Sequence, residues 1–391
     1  MSILAKLLLA VCVAQQITQQ PVQRPRRVTG NDQTTEAKKP ATDSADLDEG
    51  DVVRVDTQLV SVPAVVTDSA GRPLSGLRPE NFRLIEDGQP QTIANFGTTE
   101  TPFEIALLLD TSGSTRDDVA LIRAAANSFI AALRPGDKVG VVSFNTAQTV
   151  ARPIAAVEVL TPLTGDREAL KTAIENLGGS QGTPYYDALE RIAENIFRDP
   201  PSEEVRGRRA VVALTDGVDS SSNSDFVTAK MKLARVGVAC YFIQVNTEDF
   251  VEDRLMKDCS DDGQLALSQR QIQRYREIFF PGAKAENFNS FCQMGPFERM
   301  SISRELYNLA RREMNDLSRV SGGRSFVAAT LADARAAFAR VAADIGTQYS
   351  LGYYPTNKAR DGKFRSIKLE VRGVKDKAVV RARDGYYAPK Q

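Results

Sequence analysis

Ile105-Ala106-Leu107-Leu108-Leu109-Asp110-Thr111-Ser112-Gly113-Ser114 governs how the rest of the chain is read. Its five consecutive apolar residues do not alternate with polar ones, which is the pattern of a strand covered on both faces. The run ends abruptly in a carboxylate, then in hydroxyl and glycine residues that mark a loop. Three similar runs follow, Val139–Val142, Val211–Leu214 and Val238–Val245. Between the runs lie helical patterns at Val119–Leu133, Arg167–Asn176, Tyr185–Phe197 and Asp225–Arg235. Strands alternating with helices of this length predict βαβ units, hence an α/β fold with a doubly wound, mostly parallel sheet.

Outward from this centre the character changes. In Val52–Phe96 the residues Leu59, Val60, Val62, Val65 and Val66 read as extended chain, and Asp87-Gly88 is a turn signal between two strand-like runs. Tyr349–Tyr354, Phe364–Val371 and Ala378–Ala382 repeat that style. There, Ile367, Leu369 and Val371 alternate with Ser366, Lys368, Glu370 and Arg372, so one face is buried and one wet. Neither end segment is large enough to bury a comfortable core alone. The expectation is one β-sandwich made from residues 51–97 and 347–388, with an α/β domain at 98–346 inserted in it. A chain of 391 residues accommodates such a plan at about 150 residues per domain.

The chain start, residues 1–14, carries one cation, Lys6, in a short apolar run that closes on Cys12-Val13-Ala14. It reads as a secretory signal, being shorter than the roughly 20 apolar residues of a membrane span. Export to the periplasm, the outer surface or the medium is expected; Leu9-Ala10-Val11-Cys12 is a poor lipobox, so lipid anchoring at Cys12 is the minor alternative. Residues 15–50 hold no aromatic side chain and read as a disordered tether.

Composition narrows the chemistry. Lys plus Arg and Asp plus Glu both number 50, so there is no basic excess to drive nucleic-acid binding. Histidine is absent, which removes imidazole-ligated zinc and Ser-His or Cys-His nucleophile activation. Any metal must therefore be held by oxygen. Asp110, Ser112 and Ser114 follow a strand in the region where open α/β sheets place ligands. Gly178-Gly179-Ser180-Gln181-Gly182-Thr183 and Asp216-Gly217 occupy comparable loops. Each has a bland reading: Ser114 or Thr115 as a helix N-cap, Thr183 as a cap before Pro184, Asp216 as an Asp-Gly turn. Taken together, two carboxylates and three hydroxyls without thiolate or imidazole suit a hard divalent cation, most naturally Mg²⁺, with Mn²⁺ or Ca²⁺ as alternatives.

These three pieces resemble the metal-ion-dependent adhesion site of the von Willebrand factor A domain. The resemblance implies that Ser112, Ser114 and Thr183 are hydroxyl ligands and Asp110 and Asp216 the carboxylates. It further implies that an acidic residue of a partner completes the coordination. The flanks, with Gly76-Leu77-Arg78-Pro79-Glu80-Asn81-Phe82 before and Tyr349-Ser350-Leu351-Gly352-Tyr353-Tyr354-Pro355 after, are similar to the acidobacterial VWFA-related family. The chain departs from the pattern in a long insertion, residues 246–303. It contains Cys259 and Cys292, which in an exported protein could be joined, and an amphipathic stretch with Ile272, Tyr275, Ile278 and Phe279 on about one face. Cys240, in an apolar strand, reads as an inert core thiol.

The implied function is a metal-dependent clasp for a protein ligand presenting Asp or Glu. An enzyme is not expected: no phosphate-cradling loop, nucleophile elbow or separate acid–base pair is legible. The alternatives are a structural envelope scaffold whose metal site only stabilises it, and an Mg-dependent hydrolase.

Overall fold

The computed structural model describes residues 59–112, 119–148, 154–257, 268–282, 294–374 and 377–390. The expected signal and tether, Ser114, Cys259 and Cys292 all lie outside the described residues.

The N-terminal part gives β1 (Val60–Thr67), β2 (Phe82–Glu86), β3 (Gln89–Gln91) and β4 (Ile93–Gly97). The middle contributes β5 (Glu104–Leu109), α1 (Val119–Ala132), β6 (Lys138–Ala147), β7 (Ile154–Thr164), α2 (Arg167–Glu175) and α3 (Tyr185–Arg191). It continues through β8 (Arg209–Thr215), α4 (Phe226–Val236), β9 (Ala239–Val245), α5 (Glu248–Lys257) and α6 (Gln269–Phe279). It closes with α7 (Pro296–Ser321), β10 (Arg324–Ala328) and α8 (Ala334–Gly346). The C-terminal part adds β11 (Gln348–Tyr353), β12 (Phe364–Val371), β13 (Val379–Ala382) and β14 (Gly385–Tyr387).

The central sheet has strand order β10-β9-β8-β5-β6-β7. Every pairing is parallel except β6 with β7, which is antiparallel. β5, β8 and β9 are buried at every position, as unalternating apolar runs require when helices cover both faces. One core under the sheet gathers Phe129, Phe338 and Ile345, and the other gathers Tyr185, Phe197 and Phe242. Two strands had escaped the apolar-run criterion, edge strands β7 and β10, because an edge strand needs no continuous apolar run.

The two ends of the chain form two four-stranded sheets, β13-β1-β11-β4 and β14-β12-β2-β3, each drawing strands from both ends. Val62, Tyr349 and Leu351 of one sheet share a core with Leu84 and Ile367 of the other, so the pair is a β-sandwich. Asp87 (φ 45°) and Gly88 (φ 83°) make the β2–β3 turn, where two positive φ values are needed. The buried carboxylate of Glu86 accepts hydrogen bonds from Tyr353 and Tyr386, binding the N-terminal strand to the C-terminal ones. Where the α/β domain enters and leaves the sandwich, buried Arg208 donates to Thr99 O and Ile345 O, fastening both connections to one side chain.

Within the insertion, Ile272 and Tyr275 are buried in a small core with Leu255 and Leu306, and Phe279 packs against it. Ile278 does not share that face; it is 44% exposed. At about 100° per residue it lies about 240° around the helix from Ile272, whereas Tyr275 and Phe279 lie within about 60° of it. The following helix begins at Pro296, so the last residues of the 246–303 segment are its first turns, with Pro at the start, where its missing N–H has no cost. Gly322 (φ 80°) ends α7 in the left-handed conformation that favours glycine. Gly323 has a different reason: a Cβ there would sit 1.9 Å from the Cys240 carbonyl oxygen.

Candidate functional site

β5 and β8 run side by side in parallel, and Asp110 and Asp216 follow their carboxyl ends directly. From β5 the chain first adds β6 on one side, and only later β8 on the other. The candidate residues thus lie at a topological switch point, where adjacent loops part and leave a crevice.

Three loops meet there and are hydrogen-bonded pairwise. The first and third are joined by Asp110: its Oδ2 accepts from Thr215 Oγ1 at 2.6 Å, while Thr215 Oγ1 accepts from Gly217 N at 2.8 Å. The first and second are joined by Ser180 N donating to Thr111 O at 2.9 Å. The second and third are joined twice, by Thr183 N to Ser220 Oγ at 2.8 Å and Ser220 N to Thr183 O at 3.0 Å. Asp110, Ser112, Thr183 and Asp216 are all buried. The structure therefore brings four of the five anticipated residues to one place; Ser114 is outside the described residues.

Each carboxylate is held at both oxygens. Asp110 Oδ1 accepts from Ser112 N at 3.0 Å. Asp216 Oδ1 accepts from Val218 N at 3.0 Å, and its Oδ2 from Thr247 Oγ1 at 2.7 Å. Gly217 (φ 75°) supplies the left-handed turn that directly follows Asp216.

The bland reading of Thr183 fails on geometry. Helix α3 has no side-chain cap from its own leading residues. Its N–H groups are satisfied by the third loop instead: Asp219 accepts from Tyr185 N, and Ser222 Oγ accepts from Tyr186 N and Asp187 N. Among the described residues, the Thr183 hydroxyl makes no hydrogen bond, although the residue is only 7% exposed.

The electrostatics are unusual for a structural turn. Burial, and next the negative charge of Asp216, push Asp110 up to about 6. The charge that bears most on this buried carboxylate is thus that of another carboxylate. Burial likewise raises Asp219 to about 6. Among the described residues no three His, Cys, Asp or Glu side chains gather as a metal-holding group, so a cation at this place would have to be held by hydroxyls alongside the two aspartates. Two buried carboxylates, one bearing on the other's charge, with the uncommitted hydroxyl of Thr183 on a neighbouring loop fit that description.

Thr215 and Thr247 were not anticipated, although each orients one of the aspartates. Both stand at the carboxyl ends of strands, β8 and β9, and that location was the available signal. Cys240 is buried with its thiol pushed up to about 12 by burial, an inert thiol.

Residues 105–218 match the von Willebrand factor type A domain family. No curated protein matches the chain. Among solved structures, the chain is similar to the conserved hypothetical protein BatB from Bacteroides thetaiotaomicron, at 14% identity over 62% of this chain and 97% of that one, with a TM-score of 0.37. It is also similar to a von Willebrand factor type A protein from Catenulispora acidiphila, at 12% identity over 86% of this chain and 75% of that one, with a TM-score of 0.37. An aerotolerance-related membrane protein from Bacteroides fragilis aligns at 15% identity over 62% of this chain and 98% of that one, with a TM-score of 0.34. Among the described residues, no helix is long and apolar enough to cross a membrane.

Proposed function

We propose that this chain, whose residues 105–218 match the von Willebrand factor type A domain family, is a protein-binding module that captures a partner's Asp or Glu through a divalent cation held at the three-loop site. The observation that supports the proposal is the buried pair Asp110 and Asp216, the second bearing on the charge of the first, with the uncommitted hydroxyl of Thr183 on a loop bonded to both of theirs. Asp110, Ser112, Ser114, Thr183 and Asp216 are the residues proposed to hold the cation, Mg²⁺ by preference, since hard oxygen donors suit it. Bound there, it would supply positive charge only partly offset by hydroxyl ligands, and so attract an outside carboxylate. The protein's own part is to keep the carboxylates in place: Thr215, Thr247 and the Ser112 and Val218 N–H groups fix their oxygens, so little ordering is left for the moment of binding. Export is part of the proposal, resting on the apolar chain start.

Mg²⁺ titration of the full chain by calorimetry is the first test, followed by capture from an envelope extract with Mg²⁺ or EDTA, using wild type and Asp110→Ala. Support requires Mg²⁺ binding and a captured protein that is lost both on chelation and in Asp110→Ala. Absence of Mg²⁺ binding, or capture indifferent to EDTA, overturns the adhesive reading. Mg²⁺ stabilisation without any chelation-sensitive capture would instead identify a purely structural metal.

A further inference from the structure

Among its described residues, the insertion first touches the candidate site through Thr247. Thr247, the second residue after β9, donates to Asp216 Oδ2 at 2.7 Å. Its Oγ1 is also 2.7 Å from the hydroxyl of Tyr307 on α7. A threonine hydroxyl has one proton, and here it is used on the carboxylate, so the phenol must be the donor in the second bond. The result is a directed relay, Tyr307 to Thr247 to Asp216, in which each bond polarises the next and the negative end is the aspartate. Burial, with the charges of Asp216 and Asp110, pushes the Tyr307 phenol well up, so it remains a donor. Thr247 is 6% exposed and Tyr307 4%, and water is largely kept from competing for either hydroxyl.

A second tie runs through α6. Ser268, the cap of that helix, donates from Oγ to Ser220 O at 2.7 Å, and Ser220 is the residue that holds Thr183 by two bonds, its hydroxyl accepting from Thr183 N and its N–H donating to Thr183 O. Arg270 donates to Ser221 O, Ser222 O and Asn223 on the same loop. Thr247, Ser268 and Arg270 of the insertion therefore all hold the third site loop, which in turn is bonded to the second through Ser220 and Thr183.

We propose that Thr247 and Tyr307 are positioning residues for the divalent cation, orienting Asp216 through the hydroxyl relay, and that Thr247, Ser268 and Arg270 of the insertion brace the third site loop. This rests on the metal reading above and extends it to residues outside the ligand set.

The test is Mg²⁺ calorimetry on full-length wild type, Tyr307→Phe, Thr247→Val and Thr247→Ser, with unfolding midpoints measured in EDTA. Removing partners of metal-bound ligands typically weakens metal affinity by about 10–100-fold. The expected result is a Kd at least about tenfold weaker for Thr247→Val and several-fold weaker for Tyr307→Phe, with Thr247→Ser restored to within about threefold of wild type. Tyr307→Phe keeps the ring and its packing, so it reports even where Thr247→Val fails to fold. A purely structural role would lower the EDTA midpoint and leave the Mg²⁺ Kd unchanged, which overturns the proposal. Equal weakening by Thr247→Ser and Thr247→Val also overturns it. A wild-type chain that binds no Mg²⁺ defeats the underlying metal reading instead, and is recognised by the absence of heat before any variant is compared.

Discussion

Asp110→Asn separates the two things this carboxylate does. In the metal-free chain Asp110 is 1% exposed and its carboxyl is raised from 3.8 to about 6 by burial and by Asp216. Keeping it ionised at neutral pH therefore costs about 3 kcal/mol, at about 1.4 kcal/mol per pH unit. The asparagine removes that charge. Its Oδ1 can still accept from Ser112 N, but its amide would face Thr215 Oγ1, whose proton then lacks its acceptor, a loss of about 1 kcal/mol. The net expectation in EDTA at pH 7.5 is a variant about 2 kcal/mol more stable than wild type, or about 3 °C in midpoint for a folded unit of this size. The pH dependence has a definite sign. A carboxyl whose folded pKa lies above its unfolded one contributes stability that is full below about 3.8 and lost as pH rises through about 6. The variant's advantage should thus shrink as pH is lowered from about 7 to about 4. Added Mg²⁺ should raise the midpoint of wild type and leave Asp110→Asn where it was. Thermal and urea unfolding, each with EDTA and with Mg²⁺ at several pH values, read all of these. A variant less stable than wild type in EDTA at pH 7.5, or an advantage that does not change with pH, refutes the reasoning. Such a gain in stability at the expense of binding is what a functional site under electrostatic stress should show.

Thr183→Ala should weaken Mg²⁺ binding by about tenfold or more in calorimetry while shifting the EDTA midpoint by less than about 0.5 kcal/mol equivalent, since the hydroxyl has no internal partner among the described residues. Gly323→Ala places a methyl 1.9 Å from the Cys240 carbonyl oxygen, so chain must move against chain. A loss of about 3 kcal/mol or more, or failure to fold, is expected, with Gly165→Ala, whose nearest contact would be 3.8 Å, as the tolerant control. Glu104→Gln leaves Arg209, 2.7 Å away and equally buried, without its counter-charge; urea unfolding should show a loss of about 3 kcal/mol, and a loss under 1 kcal/mol would mean that Arg209 has another partner.

Much of the architecture was legible because it is written in short-range patterns. Ile105–Leu109 and Val211–Leu214 are unalternating, and the structure places both in the centre of the sheet. Ile367 and Leu369 alternate with lysine and glutamate, and β12 has one covered face. The edge strands β7 and β10 were missed because a strand covered only in part carries a weak pattern. The candidate site was legible where it consists of residue types on loops after strands, as with Asp110 and Asp216. It was not legible where it depends on distance. Nothing in the spacing of Thr247 and Tyr307 says that both reach toward Asp216, or that Asp219 and Ser222 relieve Thr183 of capping α3.

The way Glu86 is shared by two distant tyrosines bears on how the chain is made. Hydrogen bonds in the sandwich span 300 residues between Tyr386 and Glu86 and 289 between Ser61 and Ser350. The earliest-synthesised strands must therefore wait, unpaired, until the last ones are released, with the whole inserted domain already in between. Long-range pairing of this kind is slow and leaves edges exposed to other chains meanwhile. Completion of the sandwich thus waits on its C-terminal strands: a product truncated before β11 would lack the partner strand between β1 and β4 and would leave both edges open to pairing with other chains.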